Sequence, residues 1–446
     1  MKWSMFIFKT YVENEGFLML NTLNHSIVFM KKNEWMILND IIEGKVSLNQ
    51  IDAIEIKESY NKLIEMGFII DAKIDEQKKF MNNLFRDWNN DNLLSFFILP
   101  TTNCNFACPY CYEFGIKKEN MVLSKQFLTS LLSYLEKYID EGNVKVVNLI
   151  LYGGEPTVHR SAVEVLLPRL KETFKTREIH FNTEIVSNGY LLSPSKSEFL
   201  RKFNWNRLQL TVDGPKDVHD KRRMLKNGQG TFEEIMKNLN YIISNKLVKN
   251  IDLRINYDKK NCKEIPKFLA FISDRYDPEL FNISFGNISN TIGNTSVTVY
   301  IKKNAVGSDN ISECYSFLIK AARHYGFKEP LIYSPDGMCI AKRKNTIILM
   351  PNGDLYRCLS MVGREEFKCG NIFDGTIRKE SYLLPELYKD CFKKQCPFIP
   401  FCHTGCRFDS FVEYGTIETI KCNYENYRKI NSEALKEIYY ARKENS

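Results

Sequence analysis

Long apolar runs are missing from this sequence of 446 residues. No stretch of about 18 apolar residues occurs, which excludes a membrane-spanning helix. The apolar run from Met1 to Phe8 is too short for a signal peptide. Lys9 and Glu13 break it, and no small-residue cleavage site follows. We therefore expect a cytoplasmic protein with no membrane partner.

The sequence also lacks a block of one charge. Its net charge is +8, but the basic residues are dispersed, so no nucleic-acid partner is indicated. Hydrophobic residues make up 44% and charged residues 26%, a globular composition that excludes a mostly disordered chain. At about 100–200 residues per domain, the length leaves room for about two to four domains.

Cysteine is absent before Cys104 and frequent afterwards. Of the 13 cysteines, three lie between Cys104 and Cys111, and nine follow from Cys314 onward. The count is odd and no export signal precedes it, so we do not expect a disulfide framework. In a reducing compartment, cysteines clustered in this way more often bind metal or take part in chemistry.

The first 90 residues have the pattern of a small separate domain. Short strands with Asn and Gly at their turns precede a helix over 33–42, which Asn33 would cap, and a second helix over 58–66. A returning strand follows at 68–70. Strands, two helices and a closing strand predict a winged-helix-like domain over residues 1–90, and a connecting helix is expected within 72–92.

Residues 91–300 alternate between short, nearly continuous apolar strands and amphipathic helices. The predicted strands are 94–99, 144–151, 183–186, 208–212, 251–255 and 281–285. The predicted helices are 124–141, 162–174, 195–203, 232–244 and 264–273, with Ser124 and Ser195 as caps. Six βα units predict an α/β fold with a parallel sheet, namely a partial barrel that binds ligands at the carboxyl ends of its strands.

The alternation stops in residues 301–446. A helix is predicted over 309–325, a hairpin at Pro351-Asn352-Gly353, and a charged final helix from about residue 431. Between the hairpin and the final helix, cysteines are closely spaced and apolar periodicity is weak. This combination favours a domain that bound metal holds together.

The first cysteine cluster directly follows the first core strand. Cys104, Cys108 and Cys111 have the spacing CxxxCxxC. Three thiolates on one loop can hold three irons of a cubane cluster and leave the fourth iron open. A zinc site is the alternative, but zinc prefers four ligands, and no histidine or fourth cysteine lies nearby.

At the mouth of the first strand of a βα array, this motif resembles the radical S-adenosylmethionine (SAM) superfamily. The resemblance implies a [4Fe–4S] cluster on the three catalytic cysteines. Its open iron would bind SAM, and the resulting 5′-deoxyadenosyl radical would take a hydrogen atom from the substrate. The chemistry would be the cofactor's own, with the protein binding and orienting it.

The same resemblance implies the residues that would contact SAM. It places Tyr110 against the adenine, Gly153, Gly154 and Glu155 at the amino group, Ser187, Asn188 and Thr211 at the ribose, and Arg223 at the carboxylate. Each of these residues also has a plain structural interpretation as a turn, a packing side chain or a surface charge.

The later cysteines resemble a SPASM domain, which carries two auxiliary [4Fe–4S] clusters. The resemblance implies Cys339, Cys358 and Cys406 for a nearer cluster, and Cys391, Cys396, Cys402 and Cys422 for an outer one. Four residues separate Cys391 from Cys396, where the family has two. No cysteine occurs at 330–338, so the nearer cluster has an open iron unless Cys314 or Cys369 closes it.

The resemblance implies an oxidoreductase that matures a ribosomally made precursor peptide, by thioether or carbon–carbon crosslinking. Residues 1–90 would bind its leader, and a ferredoxin or flavodoxin would supply electrons. An anaerobic sulfatase-maturing enzyme is the alternative. Two features disfavour it: about 100 residues precede the cysteine motif, and Leu359 stands where those enzymes place a catalytic Asp. A non-catalytic zinc or iron–sulfur binding protein is a third possibility.

Overall fold

The computed structural model describes residues 1–115, 121–195, 198–288, 295–307, 310–328, 338–377 and 382–444. Its strands are β1 Lys2–Trp3, β2 Ile7–Val12, β3 Gly16–Asn21, β4 Ile27–Lys31, β5 Ile69–Ile70, β6 Leu93–Ile98, β7 Val146–Leu151, β8 His180–Ser187, β9 Trp205–Thr211, β10 Val248–Tyr257, β11 Phe281–Asn287, β12 Thr346–Leu349, β13 Asp354–Tyr356, β14 Gly370–Asn371 and β15 Thr376–Ile377.

The helices connect and cover these strands. They are α1 Lys32–Ile42, α2 Ile54–Glu65, α3 Glu76–Trp88, α4 Lys125–Asp140, α5 Arg160–Thr176, α6 Glu198–Phe203, α7 Lys216–Arg222, α8 Phe232–Ser244, α9 Ile265–Ser273, α10 Ser296–Asn304, α11 Ile311–His324, α12 Glu386–Lys393, α13 Ile399–Cys402, α14 Arg407–Tyr414 and α15 Tyr424–Glu444. Within the described ranges, no helix is long and apolar enough to cross a membrane.

The described residues form two compact units. One comprises residues 1–88, 338–339 and 384–444, and the other comprises the described parts of 89–328 and 340–383. The N-terminal strands and helices and the last five cysteines thus belong to one unit. The six-stranded βα array and the hairpin that follows it belong to the other.

The second unit contains the predicted partial barrel. Strands β6 to β11 lie side by side in chain order, and each pairs in parallel with the next. All six predicted core strands are present, with boundaries that differ by a few residues at most. Helices follow the strands in the expected alternation, which confirms the α/β fold and the six βα units.

The two faces of this sheet differ in chemistry. Alternate residues such as Leu149, Leu210 and Leu253 are buried in the apolar core beneath the helices. Their neighbours along the strands lie on the opposite, inner face because side chains alternate in a strand. There the sheet carries polar residues, among them Asn148, Glu184, Gln209, Thr211, Asp252, Arg254 and Asn256. A polar inner face fits a cavity that binds ligands rather than a filled core.

The predicted hairpin extends the same sheet. Strand β12 pairs in parallel with β6, and β13 then returns antiparallel to β12. The turn between them is Pro351-Asn352-Gly353, and Gly353 has φ of +83°, a conformation that glycine adopts without steric cost. The hairpin prediction is confirmed. The sequence pattern gave no sign that this hairpin continues the barrel sheet.

The first unit is organised around a three-stranded antiparallel sheet, β2-β3-β4. One face packs on α1 and α2 through a core that includes Met19, Leu38 and Phe68. The other face carries Phe8 and other apolar side chains. Those side chains share a hydrophobic core with the C-terminal segment, including Phe398, Phe401, Tyr427 and Leu435. Residues 1–88 therefore fold together with the segment that holds the last cysteines.

Two of the predicted caps were testable against the described helices. The Ser124 hydroxyl accepts a hydrogen bond from the N–H of Phe127 at 3.0 Å, which confirms it as the cap of α4. The prediction for Asn33 is wrong, because α1 begins at Lys32 and Asn33 lies within it. Strand β4 runs directly into this helix, and the extended residue Lys31 precedes it without a side-chain cap.

The shared core of the first unit predicts the effect of a single truncation. The Phe8 ring is 4% exposed and lies 4.9 Å from the Phe398 ring. We expect Phe8→Ala to destabilise this unit by about 3–5 kcal/mol, the usual cost of emptying a buried aromatic site. Urea unfolding followed by tryptophan fluorescence measures it, since Trp3 and Trp35 stack in this unit.

Tyr11→Ala is the matched control, because Tyr11 lies on the same strand and is 46% exposed. Its unfolding midpoint should stay close to that of the unchanged protein. Equal shifts for the two variants would show that the Phe8–Phe398 contact does not stabilise the unit.

Candidate active site

The three motif cysteines lie on the loop that leaves the carboxyl end of β6. None of Cys104, Cys108 and Cys111 forms a disulfide. The loop is anchored to the segment after α7, because the Ala107 N–H donates to the Met224 carbonyl at 2.9 Å. The cysteines therefore stand at the edge of the sheet where parallel-sheet enzymes bind their ligands.

The surroundings of these thiols favour metal-bound thiolates. Burial raises the pKa of Cys104 to about 12, so the thiol is protonated while no metal holds it. Its sulfur receives the Phe106 N–H at 3.4 Å and the Asn188 side-chain amide at 3.8 Å, contacts that stabilise a thiolate. At Cys108 burial again raises the pKa, and the charges of Arg223 and Arg222 oppose the shift. Metal binding here should release protons.

Three thiols on one loop can hold three irons of a cubane cluster. In the part of the chain that the structure describes, no three His, Cys, Asp or Glu side chains converge to hold one metal ion. A cubane cluster takes each thiolate on a different iron, so its ligands surround it without meeting at one point. A donor set of three partly buried thiols on one loop, with two arginines nearby, fits this group.

Two glycines bring the next loop against the cysteine loop. A Cβ on Gly154 would lie 2.3 Å from the Asn103 carbonyl oxygen, and one on Gly153 would lie 2.6 Å from that of Thr101. Only glycine permits this approach. The family resemblance implies that these glycines lie at the amino group of SAM. The structure places them where they fix the cysteine loop to the end of β7.

Glu155 lies beside these glycines and is 1% exposed. Its carboxylate accepts hydrogen bonds from the Asn188 N–H at 2.7 Å, the Ser187 hydroxyl at 2.8 Å, and the Thr157 hydroxyl and N–H. Burial raises the pKa of Glu155, and these donors oppose the shift. The carboxylate therefore ties together the ends of β7 and β8.

Ser187 and Asn188 connect this carboxylate to the cysteines. Asn188 donates its side-chain amide to the Asn105 side chain at 2.8 Å, next to Cys104. Thr211 ends β9 on the inner face of the sheet and is nearly buried. The structure thus brings the predicted residues of three successive strands to one edge.

Tyr110 couples the cysteine loop to the end of β9. Its hydroxyl donates to the Asp213 carboxylate and accepts from Arg223 Nη1 at 3.0 Å. Burial raises the pKa of Tyr110 well above its usual value, so the phenol keeps its proton. Since the hydroxyl is held on both sides, the ring has a fixed orientation.

Arg223 has an unsatisfied donor in this buried setting. It is 8% exposed, and its Nε has no hydrogen-bond partner among the described residues. Buried polar groups are normally hydrogen-bonded, so an orphaned guanidinium nitrogen indicates a missing acceptor. A carboxylate is the acceptor that a guanidinium binds best. This observation fits the carboxylate of SAM, the contact that the sequence motif implies for Arg223.

A buried ion-pair network lies next to Arg223 and holds its surroundings in place. Arg222 donates to the carboxylates of Asp213 and Asp258, and all three side chains are at most 5% exposed. The Tyr300 hydroxyl donates to the same Asp258 oxygen at 3.1 Å. The sequence motifs missed Asp258. Asp258 directly follows β10, and Asp213 follows β9 by two residues. An acidic residue just after a core strand is therefore the sequence signal that could have identified Asp258.

His219 completes the support as a neutral ring. Its Nδ1 accepts the Asp213 N–H at 3.2 Å, so its Nε2 carries the proton toward the Thr231 hydroxyl at 3.1 Å. Thr231 in turn donates to the carbonyl of Arg223 at 2.6 Å. Burial lowers the pKa of His219 to about 3, so the ring stays uncharged at neutral pH.

The last cysteines form a second candidate metal site in the first unit. Cys391, Cys396 and Cys422 line a cavity of 640 Å³ together with Lys394 and Tyr424. Burial raises the pKa of Cys391 to about 12, and the charge of Cys402 adds to the shift. Three of the four predicted outer-cluster ligands thus share one cavity, and Cys402 lies close enough to affect Cys391.

The predicted nearer-cluster ligands are divided between the units. Cys339 and Cys406 belong to the first unit, where the charge of Cys339 affects Cys406. Cys358 belongs to the second unit, as does Cys369, whose thiol donates to the Leu355 carbonyl at 3.1 Å across the β13–β14 pair.

Cys314 is not available as a fourth ligand in this structure. It forms a disulfide with Cys262, which links α11 to the loop before α9. Their pairing was not predictable from sequence, because 52 residues separate the two cysteines. Cys369 remains the only spare cysteine in the described residues that could close the nearer cluster.

Comparison with known proteins agrees with this geometry. Residues 98–272 match the family model of the Radical SAM superfamily. The chain is 27% identical over 256 residues to the radical SAM cyclopropyl synthase TigE of Paramaledivibacter caminithermalis, a match covering 53% of this chain and 51% of TigE. It is 23% identical over 383 residues to a cysteine-type anaerobic sulfatase-maturating enzyme of Clostridium novyi, covering 78% of this chain and 97% of that enzyme.

A solved structure resembles the chain over nearly its whole length. It is Streptococcus suis SuiB bound to its precursor peptide SuiA, 18% identical, with a TM-score of 0.52. The match covers 95% of this chain and 99% of SuiB. At this identity the likeness shows the fold alone. The chain spans about half the length of TigE, so TigE's activity is not transferred to it.

The buried ion pairs predict a cost for removing one charge. We expect Asp258→Asn to destabilise the second unit by about 3–5 kcal/mol, because Arg222 would keep a buried charge with one carboxylate fewer. Urea unfolding measures the loss. Asp217→Asn, on the exposed side of α7, is the control and should leave the midpoint unchanged. Equal midpoints for both variants would contradict a stabilising role for the network.

Proposed function

We propose that this chain, which is a radical SAM enzyme, modifies a ribosomally synthesised precursor peptide. The observation that carries the proposal is the pairing of three cysteines without disulfides at the carboxyl end of β6 with the unsatisfied Nε of Arg223. A catalytic cluster and the carboxylate of SAM would occupy these positions. Together they supply one-electron cleavage of SAM and hydrogen-atom abstraction from the substrate.

The chain's own residues would bind and orient these groups. Cys104, Cys108 and Cys111 would hold the cluster, and Arg223 would hold the SAM carboxylate. Tyr110 would flank the adenine with its ring fixed through Asp213. Glu155 would act by positioning, since its carboxylate already binds the turn of Ser187 and Asn188, which would in turn contact the ribose. Thr211 would offer a hydroxyl on the inner face.

Two auxiliary clusters are part of the proposal. The cavity lined by Cys391, Cys396 and Cys422 supports an outer cluster, with Cys402 as its fourth ligand. Cys339, Cys358 and Cys406 would hold the nearer one. Its fourth position would be open to a substrate thiolate unless Cys369 fills it. The clusters would accept the second electron from the substrate, and a ferredoxin or flavodoxin would reduce the catalytic cluster.

A peptide substrate is supported by the N-terminal unit and by the relatives. We propose residues 1–90 as the leader-binding domain, 91–300 as the radical SAM core and 301–446 as the SPASM domain. SuiB, whose structure contains a precursor peptide, matches this chain across its N-terminal region as well. A leader that joins a sheet edge as an added strand is a common mode of peptide recognition.

Strand β4 offers the more suitable edge. The Asn21 N–H donates to the Ser26 carbonyl, and antiparallel alternation then directs the N–H groups of Ile27 and Phe29 away from β3. These two residues are partly buried and apolar, whereas the outward positions of β2 include the exposed Lys9 and Tyr11. The open edge of β4 can therefore offer both backbone pairing and apolar contact.

The bond formed would be a thioether or a carbon–carbon crosslink, and an open iron on the nearer cluster would favour the thioether. Formylglycine formation is the second candidate, because the match to the Clostridium novyi enzyme covers 97% of that enzyme. Leu359, directly after Cys358, supplies no acid for it. Incubation with a sulfatase-derived Cys peptide distinguishes the two: a loss of two hydrogens and replacement of sulfur by oxygen would support formylglycine.

The radical chemistry is tested by replacing the catalytic cysteines. We expect the triple variant C104A/C108A/C111A to produce no 5′-deoxyadenosine from SAM and dithionite, while iron on the auxiliary sites is retained. The two cysteine groups lie far apart in sequence, and the outer one has its own cavity. Chromatography of the nucleoside and colorimetric iron analysis measure both. Continued 5′-deoxyadenosine formation would overturn the assignment.

Leader binding is tested at the edge of β4. We expect Ile27→Pro to weaken binding of a precursor encoded beside the gene by about 10-fold, because proline removes an outward N–H without breaking the ladder to β3. Fluorescence polarisation of the labelled peptide measures the affinity. Ile27→Ala, which keeps the N–H, is the control and should bind nearly normally. If both variants bind equally well, the leader does not pair with this edge.

A further inference from the structure

Arg254 is a cation on the inner face of the barrel sheet. It lies on β10 opposite Thr211 of β9 and Ser284 of β11. Its neighbours Leu253 and Ile255 are buried beneath the helices, so Arg254 faces the other way. The side chain is partly exposed. A guanidinium on this face stands in the space that the six strands enclose.

Within the described residues Arg254 forms no salt bridge, whereas two other arginines of this sheet and its loops do. Arg207 pairs with Asp252 and Glu184, and Arg222 pairs with two buried aspartates. For Arg254, the only hydrogen bond within the described residues runs from its Nε to the Asn256 side-chain oxygen at 3.1 Å. No carboxylate of those residues lies within 4.0 Å of its nitrogens. Both terminal nitrogens therefore keep donors for a ligand.

The position of the guanidinium is fixed by its surroundings. A Cβ on Gly286 would lie 1.8 Å from Arg254 Nη2 and 2.4 Å from Cζ, so the group rests directly on the Gly286 backbone. Gly286 lies opposite Asn256, one inner-face position beyond Ser284. The arginine thus leans toward the carboxyl ends of the strands, where the cysteine loop stands.

The same contacts tie Arg254 to the network around Arg223. The Asn256 side chain accepts the hydrogen bond from Arg254 Nε, and the Asn256 backbone N–H donates to the Asp213 carboxylate at 3.1 Å. The Asn256 carbonyl accepts from Arg222 Nη2 at 3.3 Å and from Asn261 at 3.0 Å. The residue that orients Arg254 is therefore held by the ion pairs that support the Tyr110–Arg223 contact.

Arg254 also lies near a pair of tyrosines that borders the cysteine loop. The Tyr152 hydroxyl, at the end of β7, shares a hydrogen bond with the Tyr112 hydroxyl, and Tyr112 directly follows Cys111. The charge of Arg254 lowers the pKa of Tyr152, against the larger effect of burial, which raises it. The guanidinium is thus near the tyrosine pair that borders the cysteine loop.

From this arrangement we infer that Arg254 binds a carboxylate of the peptide substrate and positions the peptide for hydrogen abstraction. A guanidinium binds a carboxylate through two parallel hydrogen bonds, which fixes orientation as well as affinity. The carboxylate comes from an Asp or Glu side chain near the modified residue, or from the peptide's C-terminus. The inference rests on the proposed peptide substrate and adds a specificity residue to it.

Three short peptides serve as probes with the full-length, cluster-loaded protein and SAM. They are acetyl-Gly-Asp-Gly-amide, its Asn counterpart, and acetyl-Gly-Gly-Gly with a free carboxylate. Saturation-transfer NMR titration gives their affinities. We expect a carboxylate probe to bind about 10-fold more tightly than the Asn peptide. The tighter of the two carboxylate probes identifies the source of the carboxylate.

Two variants and a control complete the test. Arg254→Gln should abolish the preference for the carboxylate probes. Gly286→Ala should reduce this preference, because the added methyl group displaces the guanidinium but leaves its charge in the protein. Arg275→Gln makes the same change on the exposed surface and should keep the preference. The inference is overturned if neither carboxylate probe exceeds the Asn peptide, or if Arg254→Gln retains the preference. It is also overturned if Arg254→Gln weakens SAM binding as strongly as Arg223→Gln does.

The outcomes separate this inference from the proposed function. The probes report only on carboxylate binding and need no particular crosslink or leader. A precursor that is bound and modified by the wild-type protein but equally well by Arg254→Gln would overturn the role of Arg254 and leave the function standing. If the protein preferred the carboxylate probes but modified no peptide, the role of Arg254 would stand and the proposed function would be overturned.

Discussion

The buried carboxylate of Asp213 is the group on which the rest of the site depends. It receives the Tyr110 hydroxyl from the cysteine loop, Arg222 from α7 and the Asn256 N–H from β10. Each partner belongs to a different element, so one charge sets their relative positions. Because the carboxylate is completely buried, losing any of these donors would leave it poorly compensated. The network therefore acts as the fixed frame on which Arg223, and through Asn256 also Arg254, are oriented.

Close backbone packing completes that frame on the other side of the cysteine loop. Gly153 and Gly154 let the end of β7 approach the loop, and Glu155 joins it to the end of β8. Some residues that the motif implies as ligand contacts therefore also position the protein's own loops. The Glu155 carboxylate, for example, accepts its hydrogen bonds from other protein groups, whereas the Nε of Arg223 has no hydrogen-bond partner among the described residues.

Much of this architecture is readable from the sequence, for identifiable reasons. Short apolar strands alternating with helices predicted the six βα units, and the Asn352-Gly353 turn predicted the hairpin. The cysteine spacing placed the site at the end of β6. The Asp258 and Arg254 contacts were not predictable, because they join residues far apart in sequence and depend on strand register. The Cys262–Cys314 disulfide and the core shared by Phe8 and Phe398 were missed for the same reason.

We propose that the three thiolates and the frame around Arg223 form one site for a cluster and SAM. The most direct test is electron paramagnetic resonance of the dithionite-reduced protein, recorded before and after addition of SAM. We expect SAM to change the g-values of one cluster signal, and we expect this change to be lost in Arg223→Gln. If SAM left the spectrum of the wild-type protein unaltered, the three thiolates and Arg223 would not form such a site.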